Sequence, residues 1–359
     1  MDSRKIFLIM NLGSTSTKTA IYVGKEKLHQ ETIRHDKEDI FQNFKDIWDQ
    51  YAYRKDIILN FIKRNGFAAS DFDALISRGA PVKPMQSGVY RINETMIDDA
   101  KSRKYGNHPC GVGCAIAYDL AKEQNIPALT VDAPCIDELI PEARYTGWKD
   151  VYRQSFYQAL NQKSVGRKLA EKLNKSYAEL NAVIVHMGGG MSIAAHRRGK
   201  VEDVNNGLDG DGPMAPERAG TLPAGEVLKA AFSGDFSYEE LYSKINGKGG
   251  LYALLGSKDG KTIEKMISEG DELAKEAYDA MIYQIAKSIG SAAVTLRGEV
   301  DAIALTGGLA LSSYITEGIS DWCRFIAPIY VFPGENEMES LAEGAISALQ
   351  GKVPIHEYL

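Results

Sequence analysis

Three turns rich in glycine and serine each follow an apolar run, and all three offer the same chemistry. They are Asn11-Leu12-Gly13-Ser14-Thr15-Ser16-Thr17-Lys18, His186-Met187-Gly188-Gly189-Gly190-Met191-Ser192 and Thr306-Gly307-Gly308-Leu309-Ala310. Glycine has no Cβ to keep a ligand away from the backbone, and successive bare N–H groups form an anion-binding concavity. One such turn would be ordinary punctuation between elements. Three together, two on hairpins and one before a helix, are harder to explain as turns alone. The two hairpins suit a grip on the phosphates of a nucleotide, and the third, a strand–Gly-Gly–helix step, suits a surface lying flat against the nucleoside. None has the GxxxxGK spacing of a P-loop or the GxGxxG of a dinucleotide turn.

Polar side chains at strand ends extend this pattern. Arg78 precedes Gly79-Ala80-Pro81, and Arg218 follows a Gly/Asp-rich loop. Arginines in such places grip carboxylates or phosphates bidentately; the plainer alternative, a surface ion pair, is worth little. His108 is either a site residue or an ordinary capping histidine. His186 stands at the mouth of the second turn, as a ligand or as a satisfied core histidine. Asp132 follows the strand-like run Ala128-Leu129-Thr130-Val131 at its carboxyl end, where ligands bind in open α/β sheets, unless it merely caps a helix. Glu337, flanked by Glu335 and Glu339, is either the carboxylate of interest or the start of the last helix. Phosphate-binding turns, arginines, a histidine and separated carboxylates suit phosphoryl transfer. That reaction needs positioning, positive charge and Mg²⁺ more than a covalent nucleophile.

The elements that must hold these residues read as α/β. Ile6 to Met10 and Thr19 to Val23 flank the first turn as strands, and Val183 opens the second hairpin with the same grammar, followed by the turn Arg198-Gly199-Lys200. Two such hairpins, one near the start of each half, suggest a duplicated fold. Apolar spacing predicts helices over 36–67, 94–105, 112–124, 155–180, 271–297 and 338–350, and strands over 72–77, 128–131, 300–305 and 325–332. In the 271–297 helix the expected core positions are Leu273, Tyr278, Met281, Ile282, Ile285 and Ile289. The domain boundaries are expected at 1–152, completed by a C-terminal helix 338–359, and 153–337. With 359 residues, 44% hydrophobic, the chain can bury two cores. A net charge of −6 speaks against a nucleic-acid surface. Four cysteines without CxxC spacing read as reduced thiols. No apolar run approaches the ~20 residues of a membrane span, so no membrane partner and a cytoplasmic location are expected.

These motifs resemble the acetate kinase and butyrate kinase family. Asn11 to Lys18 is similar to its first phosphate loop, and residues 186–196 to its second in the butyrate kinase version. Ser77-Arg78-Gly79, the segment from Val204 through Gly220, and Leu305 through Ala310 follow in the family's order. The resemblance runs from Ile6 to about Leu349 and favours butyrate kinase. It implies an α/β fold of two duplicated actin-like, ribonuclease H-like domains (β-meander plus βαβα) around an ATP cleft, shared with acetate and sugar kinases, heat-shock chaperone ATPases and actin. It implies Mg²⁺-dependent, reversible phosphorylation of butanoate by ATP, and a homodimer or higher oligomer. Arg78 and Arg218 would hold the carboxylate and the phosphoryl group in transfer, and Asp132 and Glu337 would support Mg²⁺ or its waters. Asn11, Gly13, Ser14, Ser16 and Lys18 would face the phosphates, with His186, Gly188, Gly189 and Gly190 opposite and Thr306, Gly307 and Gly308 at the nucleoside. His108 matches a transition-state position of the family.

The family usually places a histidine in the segment 153–163 where this chain has Tyr157. A phenol can keep the hydrogen bond but supplies no charge. Gly79 and Ala80 stand where acetate kinase carries bulkier valines, which implies room for two more methylenes, each worth ~0.8 kcal/mol when buried. The alternatives are a branched-chain, propionate or acetate kinase, or a non-catalytic ATP-binding module of the same fold.

Overall fold

The computed structural model describes residues 5–14, 16–35, 43–334 and 336–359. In chain order its strands are β1 (Ile6–Gly13), β2 (Ser16–Val23), β3 (Glu26–Arg34), β4 (Ala74–Ser77), β5 (Val89–Arg91), β6 (Ala128–Val131), β7 (Asn181–Met187), β8 (Met191–Arg197), β9 (Lys200–Val204), β10 (Ala302–Gly307), β11 (Ile329–Pro333) and β12 (Ile355–Glu357). The principal helices are α1 (Tyr51–Arg64), α2 (Glu94–Ser102), α3 (Cys110–Gln124), α4 (Ala159–Lys172), α5 (Ala224–Ala231), α6 (Tyr238–Ile245), α7 (Gly250–Leu255), α8 (Gly260–Ser268), α9 (Glu272–Thr295), α10 (Ser313–Cys323) and α11 (Glu337–Leu349). The chain divides into unit 1, residues 1–136 with 336–359, and unit 2, residues 137–335.

Unit 1 holds a seven-stranded sheet in the order β12-β5-β6-β4-β1-β2-β3. β1, β2 and β3 form an antiparallel meander, and β4 and β6 add parallel to β1. β1 reads as an almost continuous apolar run because both its faces are covered. Leu8, Met10 and Leu12 face a core built with Ile58, Phe61 and Ile62 of α1 and Val112, Ile116 and Leu120 of α3. The last helix, α11, also packs within this unit, burying Leu341, Ala342 and Ala345.

Unit 2 holds five strands in the order β11-β10-β7-β8-β9, again an antiparallel meander with two parallel strands beside it. Successive β7 residues point to opposite faces. Val183, Val185 and Met187 join a core with Tyr278, Met281, Ile285 and Ile289 of α9. Ala182 and Ile184 pack against Val165 and Leu169 of α4 on the other face. The segment after Ile136 belongs here because its bonds do: Ile140 N–H donates to the Glu202 carbonyl (3.0 Å), and Glu138 pairs with Lys163. The first sequence-based cut, after residue 152, therefore falls inside unit 2.

Several predicted elements differ in extent. Of the helix expected over 36–67, residues 36–42, with Ile40 and Phe41, lie outside the described residues. Asn43 is helical, the chain leaves the helix over 44–46, and Asp46 then accepts the Trp48 N–H (2.9 Å) and caps a 3-10 turn, Ile47–Gln50, that leads into α1. The helix expected over 155–180 is confined to α4, because Asn174 takes a left-handed conformation (φ 54°) and ends it. Leu273 is exposed rather than core, since it sits in the first turn of α9 on the outward face. β11, expected over 325–332, starts after Pro328, which has no N–H to give a ladder, and Phe325 is exposed. β3, β5 and β12 have no counterpart in the sequence reading. Among the described residues no helix is long and apolar enough to cross a membrane.

Candidate active site

In unit 2 two of the three glycine turns converge on one cavity. Gly188 and Gly189, between β7 and β8, and Gly308, directly after β10, line a space of about 660 Å³ together with Tyr278, Leu309 and Ser312. That is the size and apolar-rich lining of a small-molecule site. The floor is braced by hydrogen bonds: Ser312 Oγ (2.5 Å) and Tyr278 OH (3.3 Å) both donate to Glu264 Oε1. At the rim, Lys258 pairs with Glu217 at 2.6 Å. Thr306 is buried and its hydroxyl donates to the Gly334 carbonyl (3.3 Å), so it fixes the turn from within.

Arg218 lies on the second turn. A Cβ at Gly190 would stand 1.9 Å from Arg218 Nη1, so no side chain fits there without moving the guanidinium. The backbone around it is pinned: the Arg218 carbonyl accepts the Ala215 N–H (3.0 Å), and the Glu217 carbonyl accepts the Gly247 N–H (2.7 Å). Arg218 Nε is buried and has no hydrogen-bond partner among the described residues. Burial, partly offset by Glu217, lowers the Arg218 pKa. A buried guanidinium so placed is suited to bind an anion.

Beneath the turn, the polar stretch Asn161-Gln162-Lys163 of α4 is buried against β7 and β8. His186 is inside the unit rather than at its mouth, 2% exposed, with Nδ1 at 2.8 Å from Asn161 Oδ1. An amide oxygen only accepts, so Nδ1–H donates to it. Gln162 donates to Ser192 Oγ (2.7 Å) and meets His196 Nε2 (2.9 Å), whose Nδ1 meets Tyr177 OH (2.7 Å). Burial, with the nearby Lys163 charge, lowers the His196 pKa well below the ordinary value. Tyr157 is also buried, at 3% exposure, just before α4.

In unit 1 the first turn joins β1 to β2, with Asn11 paired across to Lys18 and Gly13 to Ser16. Ser14 is exposed, and Lys18 is half-buried. Asn11 donates a short hydrogen bond to Glu337, whose other oxygen meets Arg78 at 3.2 Å. Asp132, in a left-handed conformation (φ 43°) just after β6, accepts from Ser87 Oγ (2.6 Å) and the Gly88 N–H (3.2 Å). His108 precedes α3 and accepts the Cys110 N–H at Nδ1 (3.2 Å), which leaves the neutral-ring proton on Nε2. Burial, then the charges of Arg78 and Arg54, push its pKa down to about 4. His108 is therefore a neutral donor at physiological pH.

Gly79 changes one expectation. It has φ 100°, and a Cβ there would lie 2.6 Å from Ala133 Cβ and 2.8 Å from Thr130 Oγ1. The space freed by its missing side chain is filled by the β6 end, so Gly79 does not itself enlarge an acyl pocket; Ala80 is wholly within the unit 1 core. Sequence reasoning also missed Arg54, Asn161, Gln162 and Lys163, polar residues on the buried faces of α1 and α4. The detectable signal is a charged or amide residue at helical spacing from apolar ones, such as Arg54 one turn before Ile58.

Among the described residues no three or more His, Cys, Asp and Glu side chains gather to hold a metal ion. Asp132 and Glu337 are buried carboxylates, Asp132 bonded to Ser87 and Gly88 and Glu337 to Asn11 and Arg78. They do not form an all-protein cage. They fit an Mg²⁺ that keeps its waters and arrives with phosphates.

Residues 148–324 match the model of the Acetokinase family. Among solved structures the chain is similar to an acetate kinase from Porphyromonas gingivalis, with TM-score 0.78 and 19% identity over 96% of this chain and 100% of that one. A propionate kinase from Francisella tularensis gives 0.75 and 19% over 95% and 98%. An acetate kinase from Entamoeba histolytica gives 0.75 and 17% over 95% and 98%. The fold is the α/β fold of acetate kinases and of the sugar kinase and actin type. The family model covers just under half of the chain, and the structural matches, each 19% identical or less, show the fold.

Proposed function

We propose that this protein is a short-chain carboxylate kinase of the acetate kinase family, moving the γ-phosphoryl of ATP to butanoate and, in reverse, forming ATP from the acyl phosphate. The observation that carries the reading is Arg218, laid on Gly190 with its Nε buried and unbonded among the described residues, in the unit whose glycine turns line a nucleoside-sized cavity. In this reading the cavity takes the nucleoside, with Gly308 at its wall, and the turn at Gly188 takes phosphate oxygens. Asn11, Ser14, Ser16 and Lys18 offer a second set of phosphate donors, and Arg78 holds the acceptor carboxylate.

A carboxylate oxygen attacks the γ-phosphorus, the new O–P bond forms, the bond to the β-phosphate oxygen breaks, and ADP leaves with its electron pair. No proton need move, because the acceptor is already an anion. What the protein supplies is alignment and positive charge on the equatorial oxygens. Arg218 gives the charge, and His108 gives a neutral hydrogen bond through Nε2–H. Tyr157 replaces the family's histidine without its charge. Mg²⁺, held through Asp132 and Glu337 or their waters, would neutralise the phosphates.

Butanoate as acceptor rests on the likeness of the second turn to the butyrate kinase version; the packing at Gly79 takes away the support expected from pocket size. Propionate and acetate remain the competing acceptors, since a methylene in an apolar pocket changes selectivity by only ~10–200-fold. The test is acyl phosphate formation from MgATP, trapped with hydroxylamine, across the C2 to C5 acids. A kcat/KM maximum at C4 is the expected result, a maximum at C2 or C3 moves the substrate, and no product with any acid removes the kinase reading. A location in the cytoplasm and assembly as a homodimer or larger oligomer complete the proposal.

A further inference from the structure

Arg54, on the first turn of α1, is entirely buried, and among the described residues every bond it makes ends on an uncharged acceptor. Nε donates to Gln50 Oε1 (2.8 Å), Nη1 to the Ser16 carbonyl (3.0 Å) and Thr17 Oγ1 (3.0 Å), and Nη2 to the Gly13 carbonyl (3.0 Å). Among the described residues it forms no ion pair. Burial lowers its pKa to about 10, so it remains a cation at neutral pH. A buried charge without a counter-charge is costly, and apolar replacement would remove that cost.

The bonds explain where the charge is directed. Gly13 and Ser16 are the paired residues that close the β1–β2 turn. A trans peptide is planar, with its N–H opposite its C=O, and no cis bond is present. With the Gly13 carbonyl held by the guanidinium, the Ser14 N–H must point away from Arg54, on the ligand side of the turn. Thr17 Oγ1, which accepts from Arg54, also meets His35 Nε2 (2.9 Å), and His35 Nδ1 meets Tyr53 OH (3.1 Å). The described residues beneath the turn are linked by this chain to one cation.

We propose that Arg54 is the positioning residue of the first glycine turn: it turns the Gly13 and Ser16 carbonyls inward, aims the Ser14 N–H outward, and takes its counter-charge from a polyphosphate bound there. This rests on the nucleotide reading given above and goes beyond it, by assigning the electrostatic attraction of that turn to a side chain that never touches the ligand.

The test compares MgATP and adenosine binding by calorimetry in the wild type, Arg54→Met and Arg54→Lys, with thermal unfolding of each. Methionine keeps the volume and loses both charge and fork; lysine keeps the charge alone. Arg54→Met should weaken MgATP by at least tenfold while adenosine binding, carried by unit 2, stays within twofold. Arg54→Lys should fall between. In turnover, KM for ATP should rise more than kcat falls. A cooperatively unfolding Arg54→Met with an unchanged ratio of MgATP to adenosine affinity overturns the proposal. If Arg54→Met does not fold, the same ratio in Arg54→Lys decides, a threefold fall supporting the proposal and no change overturning it. A wild type that binds MgATP no better than adenosine overturns it too. A wild type that binds MgATP by way of Arg54 yet forms no acyl phosphate leaves it standing and removes only the kinase reading.

Discussion

Units 1 and 2 share one five-strand plan, β6-β4-β1-β2-β3 in the first and β11-β10-β7-β8-β9 in the second, with the same parallel and antiparallel pairs. Each meander opens with a hairpin whose turn carries glycine, and each turn has an arginine against it. The arginines are held differently. Arg54 is beneath its turn, buried and bonded to backbone carbonyls, whereas Arg218 lies over its turn, with Nε unbonded among the described residues. Beneath the second turn, Asn161, Gln162 and Lys163 of α4 meet His186, His196 and Glu138. The shared topology fixes where a turn must be. It does not fix which side chains hold it, and the two units reach rigidity by different chemistry.

The largest effect that would test this contrast is at the Lys163–Glu138 pair, 0% and 4% exposed at 2.5 Å, where Glu138 also accepts the Val201 N–H. Lys163→Met leaves a buried carboxylate alone and should cost ~3–5 kcal/mol in urea unfolding, with much of it recovered when Glu138→Gln is added. A single mutant as stable as wild type would show that the pair does not brace unit 2. Next is Gly190→Ala, whose methyl displaces the Arg218 guanidinium. A misplacement of about 1 Å costs ~100-fold in turnover, and adding Arg218→Ala to it should lose less than the product of the two single effects. Fully multiplicative losses would mean that Arg218 does not act from that position.

The smallest effect concerns pH. The folded-state pKa of His108 is depressed to about 4 from an ordinary value near 6.5. The unfolded chain therefore binds more protons between those values, and stability rises with pH across the window. The contribution is fully present above about pH 6.5 and is lost as pH falls toward 4. Between pH 7.5 and 5 the wild type should lose up to ~2 kcal/mol more than His108→Gln. Equal losses would place His108 in a wetter setting than its partners indicate.

The central strands were readable because they are buried on both faces and end in glycine, which leaves unbroken apolar runs such as Ile6 to Met10 and Val183 to Val185. β3 was not, because its residues alternate between exposed and half-buried and carry charge, and β5 and β12 are too short to show a period. Candidate site residues stood out in the sequence where chemistry and turn coincide, as at Arg78, Asp132 and Arg218. His186 shows the limit: its position after the strand suggested the mouth of the turn, but the two-residue period of β7 directs it toward α4. Arg54 and the α4 amides were invisible for the opposite reason. Polar residues in a helix are ordinarily solvated, and only the packing reveals that these face inward.

Unit 1 is discontinuous, and that bears on its history in the cell. A chain leaves the ribosome from its N-terminus, and domains fold as they emerge. β1 to β6 are synthesised before unit 2, yet α11 and β12, which finish their layer and edge, follow only after all of unit 2. Glu337, the carboxylate that meets both Asn11 and Arg78, is made after that unit as well. Unit 2 can close around its own core during translation, while Arg78 waits for its partner until unit 2 has been made.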